Sequence, residues 1–320
     1  MTSPGGAPTS DDVAVADAPA VEAPAVEAPA AVAEAVVAEA AVADDADVYR
    51  TLVVGGGGIR GVAALGAAAR LADAGLLADV DTFVGTSAGA LVCAVLAVRR
   101  DLRDVMAVLG REKYAPDYDL AGIGSKYGLD SGRHLASWIH RILGARYTFA
   151  EIRARFGTTL VVCATDLTRR RAAYLGPDTH PDMDVGLALR ATCAVPLYFA
   201  AVRTAAGGLY VDGALMDNFP LAWARAHTRT GRALGVCIRG DDPAPITSLD
   251  TYVGALVDCI VQTDHDCADA DDPDVVYLRP PPDIGTLHLS LSPAGLARLF
   301  GAGREQADKY LADSARRDSA

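Results

Sequence analysis

Between Thr51 and Val98 the chain twice runs a short apolar strand into a glycine turn and straight on into an Ala/Leu-rich helix. Thr51 to Val54 is the first strand, Gly55 to Gly58 a glycine loop, and Ile59 to Ala74 a helix closed by Gly75. Val80 to Val84, a turn beginning at Gly85, and the helix Ala88 to Val98 repeat the order. Strand-to-helix units this short imply parallel strands with helices laid on the sheet. Both glycine turns then fall at one carboxyl edge, where open α/β sheets place their ligands. The fold class is α/β.

Further along, Leu129-Asp130-Ser131 offers an N-cap ahead of Leu135, Trp138, Ile139 and Ile142, which lie at helical spacing. Thr158 to Ala164, Leu209 to Val211, Ala233 to Ile238 and Val275 to Leu278 read as strands. Ser292-Pro293 opens a last helix that runs to about residue 316. No repeat or linker divides residues 48–320, which read as one domain. Residues 1–47 are different: Val-Glu-Ala-Pro-Ala occurs at Val21 to Ala25 and again at Val26 to Ala30. Pro19, Pro24 and Pro29 forbid a continuous helix, and a stretch without aromatics cannot offset its ordering entropy. It is predicted to be a disordered acidic tail whose protein partner, if it has one, the sequence does not identify.

Charge follows the same division. Ten carboxylates of the net −12 lie in that tail, which has no Lys or Arg, so the remainder is close to −2. A body with no concentrated basic face is not a nucleic-acid binder. Cys93, Cys163, Cys193, Cys237, Cys259 and Cys267 are scattered with no CxxC pair, so free thiols in a reducing compartment are expected. The first residues show no basic, apolar leader, and the apolar stretch Gly89 to Val98 is too short to span a bilayer. A cytoplasmic protein is expected, with any membrane contact peripheral.

Three elements carry chemistry. Gly85-Thr86-Ser87-Ala88-Gly89 is a G-x-S-x-G turn between a strand and a helix, the setting that projects a serine hydroxyl as a nucleophile. Merely capping the following helix is the plainer alternative for Ser87. The loop Gly55-Gly56-Gly57-Gly58-Ile59-Arg60-Gly61 has neither the Gly-Lys-Ser/Thr ending of a Walker loop nor a convincing dinucleotide fingerprint. Backbone amides at a helix N-terminus also make an oxyanion hole, and with a nucleophile turn on the next strand that use is favoured. Leu209-Tyr210-Val211-Asp212-Gly213-Ala214 puts a carboxylate at a strand end, which alone would read as a turn former.

Taken together these elements resemble the patatin-like phospholipases. The resemblance spans about Tyr49 to Ile238 and rests on three motifs. They are a G-G-G-x-[KR]-G loop at Gly56, Gly57, Gly58, Arg60 and Gly61, the elbow from Gly85 to Gly89, and a D-G-[GA] triplet at Asp212, Gly213 and Ala214. Leu189 to Pro196 and Asn218-Phe219-Pro220 are less specific matches; Gly55 stands where plant members often carry Asp. The resemblance implies a three-layer sandwich, a mostly parallel central sheet flanked by helices. It also implies a Ser-Asp dyad without metal or cofactor, in which Asp212 takes the Ser87 proton and an acyl-enzyme forms during ester cleavage of phospholipids or related acyl lipids. Amides of Gly57 and Gly58, with Ala88 assisting, would hold the oxyanion. An Asp near its reference pKa of about 3.9 is a poor base for an alcohol, so the oxyanion hole would have to compensate. Arg60 would brace the loop or meet a lipid phosphate, with an ordinary surface cation an equal alternative.

Two other readings stay open at this point. An α/β-hydrolase with a Ser-His-Asp triad would need a late histidine, and His265 and His288 are late enough. His265 sits in Asp264-His265-Asp266-Cys267, which lacks the pattern of a calcium loop or a zinc site and reads as a solvated helix end. The other is a lipid-binding or interaction module with little turnover. Leu129, Trp138, Leu197, Tyr198 and Phe199 could line an acyl groove, though core packing is the expected role.

Overall fold

The structure is a computed structural model and describes residues 48–111, 114–119, 123–227, 232–239, 245–248, 251–253, 255–256, 259 and 272–318. The predicted acidic tail of residues 1–47 and the stretch Asp264 to Cys267 lie outside the described residues.

The strands are β1 (Thr51–Val54), β2 (Thr82–Thr86), β3 (Gly128–Asp130), β4 (Thr159–Asp166), β5 (Arg171–Leu175), β6 (Leu197–Phe199), β7 (Val202–Arg203), β8 (Leu209–Asp212), β9 (Ala233–Ile238) and β10 (Val275–Leu278). The helices are α1 (Gly61–Asp73), α2 (Ala88–Ala97), α3 (Leu102–Arg111), α4 (Ile123–Lys126), α5 (Arg133–Leu143), α6 (Phe149–Phe156), α7 (Val185–Thr192) and α8 (Leu221–His227), followed by a long last helix, Pro293–Asp318. The main sheet runs β10-β9-β1-β2-β4-β8-β7, parallel from β10 through β4 and antiparallel beyond. β3 and β6 form a separate parallel pair.

Strand alternation divides the core. Leu52 and Val54 join the larger cluster with α1, α2, α5 and the last helix, while Val53, Val84 and Val161 pack under α8 with Phe219 and Leu221. The result is three layers, helices on both faces of the sheet, as the α/β reading required. The small residues of α1 have a packing reason: a Cβ on Gly66 would strike the Phe300 backbone, and one on Gly303 the Ala63 backbone. These two helices touch main chain to main chain.

β4 sets the position of the site. Val162 pairs with Gly85 of β2 and, on its other side, with Leu175 of β5; Ala164 pairs with Ala173 of β5 and Asp212 of β8. Strands β2 and β8 therefore lie end to end along one side of β4. The last register pair of β2 is Thr86 with Cys163, and the next residue of β4, Ala164, is the partner of Asp212. Ser87 and Asp212 meet because adjacent β4 residues address the ends of two different strands.

Three expectations change. Ser131 does not cap α5: Gly132, in a left-handed conformation, occupies that position, and the Ser131 hydroxyl bonds Asp117. Asp130, which bonds the Gly132 amide, serves the turn instead. Cys237 in β9 is disulfide-bonded rather than a free thiol, a pairing that residue spacing cannot reveal. Trp138 and Phe199 wall a cavity as well as packing in the core.

Candidate active site

The strand-to-helix turn puts Ser87 at φ 52°, ψ −127°, a left-handed value for a residue with a side chain. Such strain costs on the order of 1–3 kcal/mol and persists only where neighbours enforce it. Here they do. A Cβ at Gly85 would lie 2.7 Å from the backbone of Gly89 and Ala90, and one at Gly89 would run into the carbonyl oxygens of Val54 and Gly55. Both elbow glycines are required for α2 to start directly over the end of β1. The Ser87 amide donates to Thr192 Oγ1 at 2.8 Å, and Thr192 Oγ1 in turn donates to the Cys163 carbonyl. Thr192 thus ties the strained residue to β4.

The serine hydroxyl donates to Asp212 Oδ2 at 2.8 Å, across 125 residues of sequence. Both side chains are buried. The other carboxylate oxygen accepts from the Ala214 amide at 3.0 Å, the Asp212 amide donates to the Ala194 carbonyl at 2.9 Å, and Thr165 Oγ1 donates to the Asp212 carbonyl at 2.8 Å. Gly213 leaves no room for a side chain, since a Cβ there would meet the Cys163 carbonyl. Burial pushes the Asp212 carboxyl up to about 7, and the hydrogen bonds from Ala214 and Ser87 pull only partly the other way. An aspartate with that affinity for protons is a far better base than the ordinary carboxylate assumed from sequence.

The glycine loop closes over the serine. Its Gly55 and Gly56 amides are engaged by the Val236 and Asn218 carbonyls, and the Ile59 and Arg60 amides by Thr286 and Gly57. Among the described residues, the amides of Gly57 and Gly58 between them donate to no acceptor. The Ala88 amide, at the first position of α2, is in the same condition. Ser87, Ala88 and Gly58 line one cavity. A Cβ on Gly56 would come within 3.2 Å of Ser87 Cβ, and one on Gly61 within 2.7 Å of Ala88 Cβ, so these glycines let the loop sit against the elbow. Arg60 is buried, with Nε donating to the Ile284 carbonyl at 2.9 Å. That bond ties the loop to Ile284, and its burial does not fit an ordinary surface cation.

Sequence reasoning left Thr192 and Ala194 as part of a loosely matching stretch, yet they hold the nucleophile and the carboxylate in place. Their neighbour Cys193 contacts Ser87, but burial, assisted by the Asp212 charge, pushes its thiol pKa up, so it stays neutral. No histidine among the described residues hydrogen-bonds to Ser87 or Asp212. His265 lies outside the described residues.

Ser87 lines an apolar cavity of about 100 Å³ together with residues of α1, α2, α3 and α5. No helix among the described residues is long and apolar enough to cross a membrane.

Comparison with known proteins bears on family and fold. A 26% identical relative, named "Probable lipid hydrolase 463L", of Invertebrate iridescent virus 6 aligns over 85% of this chain and 92% of its own length. "Uncharacterized protein YqhO" of Bacillus subtilis (strain 168) is 28% identical over 58% of this chain and 70% of its own. The crystal structure of VipD from Legionella pneumophila shares the fold, with a TM-score of 0.55 at 16% identity, over 83% of this chain and 67% of that one. The family model described as patatin-like phospholipase matches residues 52–224, more than half of the chain. This chain, built around a buried serine and carboxylate at one sheet edge, belongs to the patatin-like phospholipase family and is a lipid hydrolase.

Proposed function

We propose that residues 48–320 form one catalytic unit, a serine carboxylic-ester hydrolase that cleaves phospholipids or related acyl lipids through a Ser87-Asp212 dyad. The observation that carries this reading is the 2.8 Å hydrogen bond between Ser87 Oγ and Asp212 Oδ2 beside the amides of Gly57, Gly58 and Ala88, which have no acceptor among the described residues. Asp212 takes the hydroxyl proton as Oγ attacks the ester carbonyl carbon. The negative charge that develops on the carbonyl oxygen is met by the amides of Gly57, Gly58 and Ala88. Collapse breaks the bond to the leaving alcohol, which departs with the proton held by Asp212, and leaves an acyl-serine. Water then gives a proton to Asp212 and adds to the acyl carbon; the acid leaves and Ser87 recovers its proton. The substrate is drawn from a membrane surface that the protein meets peripherally.

A fluorophosphonate probe should label the wild-type chain and not Ser87→Ala, and the Ser87→Ala and Asp212→Asn variants should release no fatty acid from mixed liposomes. Folded wild-type protein that neither labels nor releases acid would instead point to a lipid-binding module. Activity that survives Asp212→Asn but is lost in His288→Ala or His265→Ala would replace the dyad by a triad.

A further inference from the structure

Four large apolar side chains stand exposed around the small β3–β6 sheet. Leu197, the first residue of β6, is 60% exposed and sits in register with Gly128 of β3; Tyr127, the residue before Gly128, is 49% exposed. Ile123, whose carbonyl accepts from the Tyr127 amide, is exposed on α4, a helix with no buried residue. Tyr118, also exposed, bridges to Asp130 of β3. Leu197 and Tyr127 are held at φ 67° and φ 63°, the left-handed region that a bulky side chain enters only at a cost. Two bonds fix the segment to the end of β6: the Ala201 amide donates to the Lys126 carbonyl and the Ala200 amide to the Asp130 carbonyl. Backbone strain that ends in an exposed leucine and an exposed tyrosine serves no core packing.

The same residues adjoin the wall of the Ser87 cavity. Val195 and Phe199 line that cavity, and Leu197 between them does not. Tyr114 lines it too, meets Phe199 edge to face with 6.1 Å between ring centres, and donates to Asp130 of β3 at 2.7 Å. The charges nearby are matched, Lys126 with Asp119 at 2.5 Å and Arg133 with Asp117 at 2.7 Å.

We infer that this surface seats the protein on a lipid bilayer, with Leu197, Tyr127, Ile123 and Tyr118 entering the boundary between headgroups and acyl chains. Tyrosine suits that depth because its ring is apolar and its hydroxyl stays among the headgroups, while leucine and isoleucine go with the hydrocarbon. A surface whose charges already have partners gains little from lipid charge, so the bilayer it fits is zwitterionic and apolar area sets the binding. Seated this way, the cavity wall formed by Tyr114 and Phe199 lies beside the membrane that holds the substrate. The inference rests on the chain acting on membrane lipid, and it adds the face by which the chain meets the membrane.

Flotation of the full chain with phosphatidylcholine vesicles reads seating without needing turnover. Leu197→Asn and Tyr127→Asn remove apolar surface and install a residue that accepts left-handed backbone, so their thermal midpoints should equal or exceed that of wild type. The partition coefficient should fall about tenfold for Leu197→Asn and further for the double variant. Raising salt from 0.1 M to 1 M should change wild-type binding less than about twofold. Acid release from the same vesicles should fall in step, while turnover of soluble p-nitrophenyl butyrate stays within about twofold. Should either variant fail to fold, Ile123→Ser on α4 supplies the measurement, with a loss of partition of about fivefold. Partition that none of these variants lowers overturns the seating surface, as does an equal loss on the soluble ester and on vesicles, which would make these residues part of the site itself. A lipid-free dimer that Leu197→Asn splits would give the surface to a second copy of this chain and overturn it as well. Wild-type protein that floats with vesicles through these residues yet hydrolyses no ester removes the hydrolase reading and leaves the seating surface standing.

Discussion

At the scale of single residues, Asp212 decides both how the site works and what it costs. Only its ionised form can take the Ser87 proton, and burial raises its pKa to about 7. kcat/KM should therefore rise with pH through a midpoint near 7 and level off above it. A pH profile on a soluble ester, flat from pH 5 to 8, would contradict the assignment of Asp212 as base. The same shift acts on stability with a definite sign. The folded carboxyl holds its proton up to about 7, whereas the unfolded one loses it near the ordinary aspartate value of 3.8, so between these limits the native state binds more protons. Stability then falls as pH rises through that window, by roughly 4 kcal/mol at most. In Asp212→Asn the amide can still accept from Ala214 and can donate to Ser87, and it carries no charge to bury. That variant should lose about 10³-fold or more in kcat yet unfold at a higher temperature than wild type at pH 8. The advantage should shrink as the pH is lowered towards 4 in matched thermal scans.

Among the elements, the join between β2 and α2 shows how much of the site was legible beforehand. The elbow was readable because its glycines answer a steric demand written locally: Gly85 and Gly89 stand where any Cβ would enter neighbouring backbone. The strand assignments from Thr51 to Val84 follow from apolar runs of the right length. What could not be read was the role of α7's end. Thr192 sits 105 residues from Ser87, and only the pairing of β4 with both β2 and β8 brings its hydroxyl between the Ser87 amide and the Cys163 carbonyl. The raised pKa of Asp212 was equally hidden, because burial is a property of the finished fold. So was the apolar cavity beside Ser87, whose walls include residues of α1, α2, α3 and α5 and whose lining looks like ordinary core in sequence. Thr192→Val tests the clamp. It takes the acceptor from the buried Ser87 amide, costing about 1–3 kcal/mol. It should lower kcat by about ten- to a hundredfold through a displaced serine, with KM little changed. Thr192→Ser keeps the hydroxyl and should recover most of kcat; equal losses in both variants would show that the methyl, not the hydrogen bonds, holds the elbow.

Across the whole molecule, charge is segregated by position. The proposed catalytic machinery draws on residues from Gly57 to Asp212, and Tyr49, just ahead of β1, is anchored where its hydroxyl donates to Asp274 and Arg232 lies over its ring. All of this lies in residues whose net charge is close to −2, while residues 1–47 add ten negative charges. Removing residues 1–47 should accordingly leave the thermal midpoint and kcat/KM on a soluble ester unchanged within error. On anionic vesicles the two forms should differ. A polyanionic segment beside a negatively charged surface is repelled over about 10 Å at 0.1 M salt, which lowers the local enzyme concentration at the lipid. The shortened chain should release acid faster from vesicles rich in anionic lipid. The gap should close as salt is raised towards 1 M, where screening reaches only about 3 Å, and should be absent on zwitterionic vesicles. A loss of folding or of soluble-ester activity on truncation would place residues 1–47 inside the catalytic unit. A difference between the two forms that salt leaves intact would show that the segment acts by contact and not by its field.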